Sequence, residues 1–260
     1  MGTKCQTLTT SKSKPNVFSY QLPSGQFTVL KLTTPYIAYA DGINASGFIV
    51  GNLTGNSGVS RGGFTWNGSQ LTRILVPKSA STTAIGLSDN GAAFGNYSTS
   101  VNTSNGAQSQ DKGFMLSGKV YQSVSYPGSL HTFLAFSRPS NTFGGNYFDA
   151  NSNGHGYLLS SGTFTTFDYP GSVAGYSGSG PVLGVTTAGA VIGVWRNANL
   201  PHGYVWQSGY YHGIDYPGAL LTNINHVNSN GSLVGTYEDQ SHIVHAFVAQ
   251  CAAAQVPCTQ

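Results

Sequence analysis

Ionisable side chains are scarce in this 260-residue chain, which has eight Asp and Glu and seven His, so their placement carries information. Glu238, Asp239 and His242 fall within five residues, and His245 follows. Two carboxylates and an imidazole this close can ligate a cation or hold a base near neutral pH. Asp149 takes the place of Asp239 in an earlier segment, and Asn197 takes it in another. Converging from neighbouring segments, Asp149, Asn197, Glu238 and Asp239 would form an oxygen-rich site suited to Ca²⁺. Such a cation polarises a carbonyl while a base activates water. His242 is the preferred base, with His202 and His245 as substitutes. The chemistry this set points to first is hydrolysis of a small lactone or ester, of the N-acyl-homoserine-lactone kind.

Aromatic residues supply a second reading. Tyr97, Tyr147, Trp195 and Tyr237 recur at one position. They either stack between neighbouring segments or offer a platform for sugar rings, with Arg196 beside Trp195 as a polar contact. A non-catalytic carbohydrate-binding or adhesion module with several similar sites follows from that repetition. A glycoside hydrolase is the third reading. It needs a paired acid and base about 5 to 9.5 Å apart, and Asp41 is a candidate if its strand lies innermost. Other repeated residues have plainer roles. Asp168 and Asp215 both precede Tyr-Pro-Gly, as turn-capping Asp residues do. His155, His202 and His245 share a position that suits a structural hydrogen bond.

Several chemistries are absent from the sequence. There is no Gly-x-Ser-x-Gly elbow, P-loop or His-Glu-x-x-His helix. The net charge is +3 with scattered Lys and Arg, so nucleic acid is not an expected partner. No apolar run approaches the ~18 residues of a membrane span. The expected partner is a small lactone or ester, or a carbohydrate, bound by a monomer. Cys5, Cys251 and Cys258 are the only cysteines, all near the chain ends. A Cys5 bridge to Cys251 or Cys258 would tie the termini together, a local Cys251–Cys258 bridge competes with it, and three inert thiols remain the plain alternative. Disulfides imply a secreted, extracellular or periplasmic protein. Met1-Gly2-Thr3-Lys4 lacks an apolar signal core, so export would use a leader not present in this sequence.

The elements that must position these residues are short strands. Charged residues are only 7% of the chain and aromatics 12%, with 35 Gly. A small residue followed by an aromatic, then a Gly turn and an apolar strand, recurs along the chain. Phe64, Phe114, Tyr157, Tyr204 and Phe247 mark it at spacings of 50, 43, 47 and 43 residues, with Phe18 lying 46 before Phe64. Each copy holds four strand signals, a to d, punctuated by turns such as Ser208-Gly209 and Asn230-Gly231. Repeats of about 40 to 50 residues point to a propeller. The sequence thus predicts an all-β, five-bladed β-propeller with four-stranded antiparallel blades. Its repeats cover about 17–61, 62–112, 113–155, 156–202 and 203–245, inside a domain of 16–250. Residues 1–15 form a loose arm and 251–260 a tail. The strand at 246–250 would close the ring on N-terminal strands and remove the free sheet edges. A two-sheet sandwich would give no reason for five similar copies. The a–b and c–d turns share one face, and the longer b–c and d–a connections share the other. Most of the acids and histidines lie on the second, which is where a site near the axis is expected.

The wording of the repeats resembles the bacterial extracellular HAF repeat family. His-Gly-Tyr occurs at 155–157 and 202–204, Phe-Asp-Tyr-Pro-Gly at 167–171, and Ile-Asn-Ala-Ser-Gly-Phe-Ile-Val-Gly at 43–51. The resemblance spans roughly 17–250. It implies the repeat type and export, and does not imply a particular chemistry.

Overall fold

β-branched and aromatic residues alternate with Gly, Asn and Ser in runs too short for helices, and every such run becomes a strand. The computed structural model describes residues 17–250 apart from 22–24, 31, 89, 105, 139–141, 173–179 and 198–199. A hairpin of β1 (Phe18–Gln21) and β2 (Gln26–Val29) comes first. The first four-stranded unit is β3 (Ile37–Ile43), β4 (Ile49–Thr54), β5 (Ser60–Trp66) and β6 (Leu71–Ile74). The second is β7 (Ser81–Leu87), β8 (Ala93–Thr103), β9 (Gly106–Ser117) and β10 (Val120–Val124). The third is β11 (His131–Arg138), β12 (Thr142–Phe148), β13 (Gly154–Ser160) and β14 (Thr163–Phe167). The fourth is β15 (Val182–Val185), β16 (Val191–Asn197), β17 (Leu200–Gln207) and β18 (Tyr210–Ile214). The last sheet has three strands, β19 (Leu221–Val227), β20 (Ser232–Glu238) and β21 (Val244–Gln250).

Within each unit the strands pair antiparallel in chain order. The second and third units are joined by one parallel bridge, His131 to Asp111. The sheets therefore run c-d-a-b, so each begins midway through a repeat counted from its aromatic. The reason is connectivity: c–d, d–a and a–b are hairpins, whereas b–c is the crossing from one sheet to the next. The a–b turns show the expected turn chemistry. Ser161-Gly162 and Ser208-Gly209 have positive φ at both positions, the type I′ geometry that matches strand twist.

Ring closure by strand pairing, expected from the extra strand at 246–250, is not what the described residues show. β21 pairs with β20 alone, and β1 and β2 pair only with each other. The chain carries two copies of strand a for one place, Phe18-Ser19-Tyr20 and Ala246-Phe247-Val248, and β21 takes it beside β20. The outer side of β21 is correspondingly bare, with Val244 and Val248 exposed.

Packing runs between consecutive units. Val50 of the first unit meets Ala84, Ala93 and Phe114 of the second. Val124 joins Leu134, Phe143 and Tyr157. Phe136 and Phe167 join Val182, Val191 and Tyr204, and Ile192 and Val205 join Ile224, Leu233 and Ala249. Val17 and Leu30, flanking the N-terminal hairpin, pack on Ala38, Ile49 and Phe64. The strand-a aromatics Phe64, Phe114, Tyr157 and Tyr204 are fully buried, worth roughly 2–3 kcal/mol each in transfer free energy. A glycine in strand d makes room for them. An added Cβ on Gly95 would overlap Thr83 O and crowd the Phe114 ring, and one on Gly145 would overlap Phe133 O.

Side-chain amides tie adjacent units together. Asn96 on β8 accepts from Leu134 N at 2.7 Å and donates to Leu134 O at 3.1 Å on the third unit. Asn52 on β4 does the same with Ala84 of the second unit, at 2.9 and 2.8 Å. Buried threonines cap the crossings. Thr132 Oγ1 accepts from Tyr126 N and Thr222 Oγ1 from Tyr216 N, both at 2.9 Å.

Candidate functional site

Every inner strand contains a bulge at the same place. The register slips between Ala40 and Gly42, Ala84 and Gly86, Leu134 and Phe136, Val182 and Gly184, and Ile224 and His226. The residues left unpaired are Asp41, Ile85, Ala135, Leu183 and Asn225. A bulge re-aims the side chain it carries. Four of these five, all but Leu183, line a cavity of about 790 Å³ between the inner strands. Strand c is therefore innermost. The walls come mostly from the second halves of β3, β7, β11 and β19 and from Ser88 and Asn228 just beyond them, with Asn52 of β4 and Phe94 of β8 behind. That half leads into the short c–d turns. The cavity thus lies toward the face opposite the one where a site was expected, because strand direction sends the His-rich connections to the other end.

The cavity mixes polar groups with apolar walls. Asn52 Nδ2 donates to Asp41 Oδ2 at 2.7 Å, while its remaining amide bonds hold Ala84. Asn223 donates to Asn225 Oδ1 at 2.8 Å. Arg138, His226, Asn228 and Ser88 add further polar groups, and Ile85, Leu87, Phe94 and Phe136 the apolar surface. Desolvation lowers the His226 pKa below its usual value, and the Arg138 guanidinium lowers it further, so its imidazole is neutral near pH 7. Asp41 is the only carboxylate among the described lining residues. The glycosidase requirement for a paired acid and base is therefore not met by them.

The opposite face holds a belt of stacked rings. Tyr126 stacks on Tyr147 with centroids 3.5 Å apart, and Tyr147 stacks on His155 at 4.9 Å. Tyr169, Trp195 and His202 repeat the arrangement at 4.3 and 4.6 Å. Tyr216, Tyr237 and His245 do so at 3.6 and 4.9 Å. Carboxylates fix the imidazoles. His155 Nδ1 bonds Asp168 at 3.0 Å, His202 Nδ1 bonds Asp215 at 2.9 Å, and His245 Nε2 bonds Asp239 at 2.8 Å. Asp168 and Asp215 thus hold histidines thirteen residues back, across a hairpin, where turn caps were expected. Tyr147, Trp195 and Tyr237 are occupied on both ring faces, so they offer no open platform for a sugar. Arg196 is exposed at the end of β16.

The proposed cation ligands come from three different sheets: Asp149 follows β12, Asn197 ends β16, and Glu238 and Asp239 stand together at the end of β20. Asp149 Oδ1 accepts from Asn151 N and Asn153 N, and its Oδ2 takes the Asn153 side chain. These bonds, the Asn153 side chain first, hold its pKa at about 2, below the usual 3.8. Asp239 makes the same turn with Ser241 N and Ile243 N, and its carboxylate is likewise lowered, chiefly by the His245 bond. Glu238 bonds His242 Nδ1 at 2.5 Å. Asn197 ends β16 in a different sheet. Among the described residues, no group of three or more His, Cys, Asp or Glu side chains gathers to hold a metal ion. The expected convergence fails because each carboxylate is consumed by its own turn or histidine. His242, the preferred base, has a side chain 78% exposed and stands in the left-handed region at φ 61°. Ser152 takes that place in the Asp149 turn at φ 64°. Cys5, Cys251 and Cys258 lie outside the described residues.

No protein-family model matches the chain, and no curated protein matches it in sequence. Among solved structures it is similar to a TolB-type protein from Agrobacterium tumefaciens. The TM-score is 0.56 at 12% identity, over 92% of this chain and 86% of that one. It is also similar to the Aleuria aurantia lectin in complex with Fucα1-6GlcNAc, with TM-score 0.47 and 11% identity over 88% and 82% of the two chains. At these identities the likeness is one of fold, and the chain has an all-β propeller fold.

Proposed function

We propose that this chain is a five-bladed propeller that binds a small polyhydroxylated ligand, a saccharide or sugar derivative, in its axial cavity. The observation that carries the reading is the repeated bulge, which brings its unpaired residue to the cavity wall in four of the five sheets and puts Asp41 and Asn225 on the same space. Five equivalent inner strands, β3, β7, β11, β15 and β19, support the blade count. At about 790 Å³ the cavity is of ligand-pocket size, within the usual range of about 300–1,000 Å³. A carboxylate and amides accept and donate to hydroxyls, while Ile85, Phe94 and Phe136 cover the apolar faces of a ring. Asn52 fixes Asp41 before any ligand arrives, which lowers the ordering cost of binding.

A calcium-assisted lactone or ester hydrolase is less well supported. A cation at Glu238 and Asp239 would have to displace His242 and His245 from them, and the His242 side chain faces solvent. Export and a disulfide among Cys5, Cys251 and Cys258 belong to the proposal as well.

Calorimetry with a panel of mono- and disaccharides tests the reading. The expected result is binding that weakens at least about tenfold in Asp41→Ala, with an unchanged melting temperature because Asp41 is exposed in a bulge. A panel without binding, or binding indifferent to Asp41→Ala and Asn225→Ala, refutes it.

A further inference from the structure

The cavity wall is divided between neighbouring units. Its hydrogen-bonding side chains come chiefly from the first unit and the last sheet. Asn52 holds Asp41 Oδ2 and Asn223 holds Asn225 Oδ1, which leaves Asp41 Oδ1 as an acceptor and Asn225 Nδ2 as a donor for a ligand. His226 and Asn228 continue the same stretch of lining. The second and third units present a different surface. Their bulges carry Ile85 and Ala135, both half-buried, with Leu87, Phe94 and Phe136 also on the wall. The two Phe rings lie over Gly86 and Gly144, where an added Cβ would strike them. Polar groups of this sector are largely withdrawn. The Ser88 hydroxyl is engaged by Asn90 Oδ1 and Ala92 O, the Ser137 hydroxyl is buried, and Arg138 already has a partner of its own. Thr83, ahead of the bulge, is the remaining hydroxyl.

We infer, resting on the reading above, that the ligand is a glycoside with an apolar aglycone: its sugar is held by Asp41 and Asn225, and its aryl or alkyl group lies against Ile85, Ala135 and Phe136. Desolvation decides between this and a longer saccharide. Hydroxyls of a second sugar set against Ile85, Ala135 and Phe136 would leave water without gaining partners, which is unfavourable. An apolar group in the same place takes its own surface and that of the wall out of water together. Size points the same way. Pockets of about 300–1,000 Å³ hold drug-sized ligands, and about 790 Å³ leaves room beyond one sugar ring. The unlike sides also fix the orientation, with the sugar toward the first unit and the last sheet and the aglycone toward the second and third units.

The test compares the methyl and phenyl glycosides of glucose, galactose and mannose by calorimetry, with maltose and phenol as controls. The proteins are the wild-type chain, Asp41→Ala, Ile85→Ser and Ala135→Leu, with melting curves to verify folding. The expected result is that at least one phenyl glycoside binds about tenfold or more tighter than the methyl glycoside of the same sugar. Ile85→Ser should remove most of this preference by making the wall polar, and Ala135→Leu by filling the space. Asp41→Ala should weaken both glycosides of that sugar. The wild-type comparison stands whether or not either wall variant folds. Methyl and phenyl glycosides of equal affinity, or maltose binding tighter than every phenyl glycoside, overturn the inference and leave the saccharide reading intact. A preference that persists in both wall variants puts the aglycone elsewhere and overturns the inference as well. Phenol binding as tightly as the phenyl glycosides, with no loss in Asp41→Ala, overturns both readings. Binding of none of these probes overturns the inference, and the wider saccharide panel then decides the reading beneath it.

Discussion

Removing the Asn96 side chain should loosen the joint between the second and third units by a measurable amount. Asn96 satisfies both backbone groups of Leu134, on the edge of β11 that faces the second unit, through bonds of 2.7 and 3.1 Å. Leu134 itself is 2% exposed. Each bond contributes about 0.5–1.5 kcal/mol net, and a polar group left unsatisfied costs about 1–3 kcal/mol. Asn96→Ala should therefore cost about 2 kcal/mol. With a urea slope of about 3 kcal/mol per molar for a domain of this size, the midpoint falls by about 0.7 M. Asn146 provides an internal control. It follows Gly145 as Asn96 follows Gly95, yet makes no such clamp among the described residues. Asn146→Ala should stay within about 0.5 kcal/mol of wild type. Equal losses in the two variants, read by urea titration with far-UV circular dichroism, would refute the assignment of stability to the clamp.

Three further outcomes are expected. Gly145→Ala places a Cβ against Phe133 O and should cost more than about 3 kcal/mol or prevent folding, as soluble yield and melting temperature will report. Tyr157→Phe removes a buried hydroxyl that has no partner among the described residues, so the variant should gain about 1 kcal/mol in urea titration; a loss would mean the hydroxyl is satisfied. The Asp149 carboxylate titrates near pH 2 in the fold against the usual 3.8. Its stabilising contribution is therefore full above about pH 4 and is lost as pH falls through about 2. Melting temperature should decline over that window, and less steeply in an Asp149→Asn/Asp239→Asn double variant, since Asp239 is shifted in the same direction.

The strand-and-turn order of each repeat is readable in the residues because Gly-aromatic pairs and Ser-Gly turns act locally. The kinship of Asp149 and Asp239 is readable for the same reason, as each closes a loop over the next four residues. The bulges are not, since a register slip exists only once two strands are paired. That left the innermost strand undetermined and kept Asn225 out of view beside Asp41 on the cavity wall. Asp168 and Asp215 stand in a motif that suits a turn cap, and their actual partners sit thirteen residues back on a neighbouring strand. The Gly-Asn pairs at 51–52, 95–96 and 145–146 are a visible signal, yet what Asn52 and Asn96 grip belongs to the following unit. Pooled acids and histidines suggested a reactive centre. In the fold they pair with one another inside turns and across hairpins, and His131–Asp111 alone among these pairs links two units.

The ring belt has an evolutionary consequence. In the third unit the stack on Tyr147 is completed by Tyr126 from the link before it, while Asp168 anchors His155 and the adjoining Tyr169 starts the stack of the fourth unit. The third and fourth of these segments thus carry a socket at the leading edge and a plug at the trailing edge. Duplication of one segment by unequal recombination would insert a copy that already fits both neighbours. Copy number in such a gene can rise or fall without any new contact surface arising by mutation.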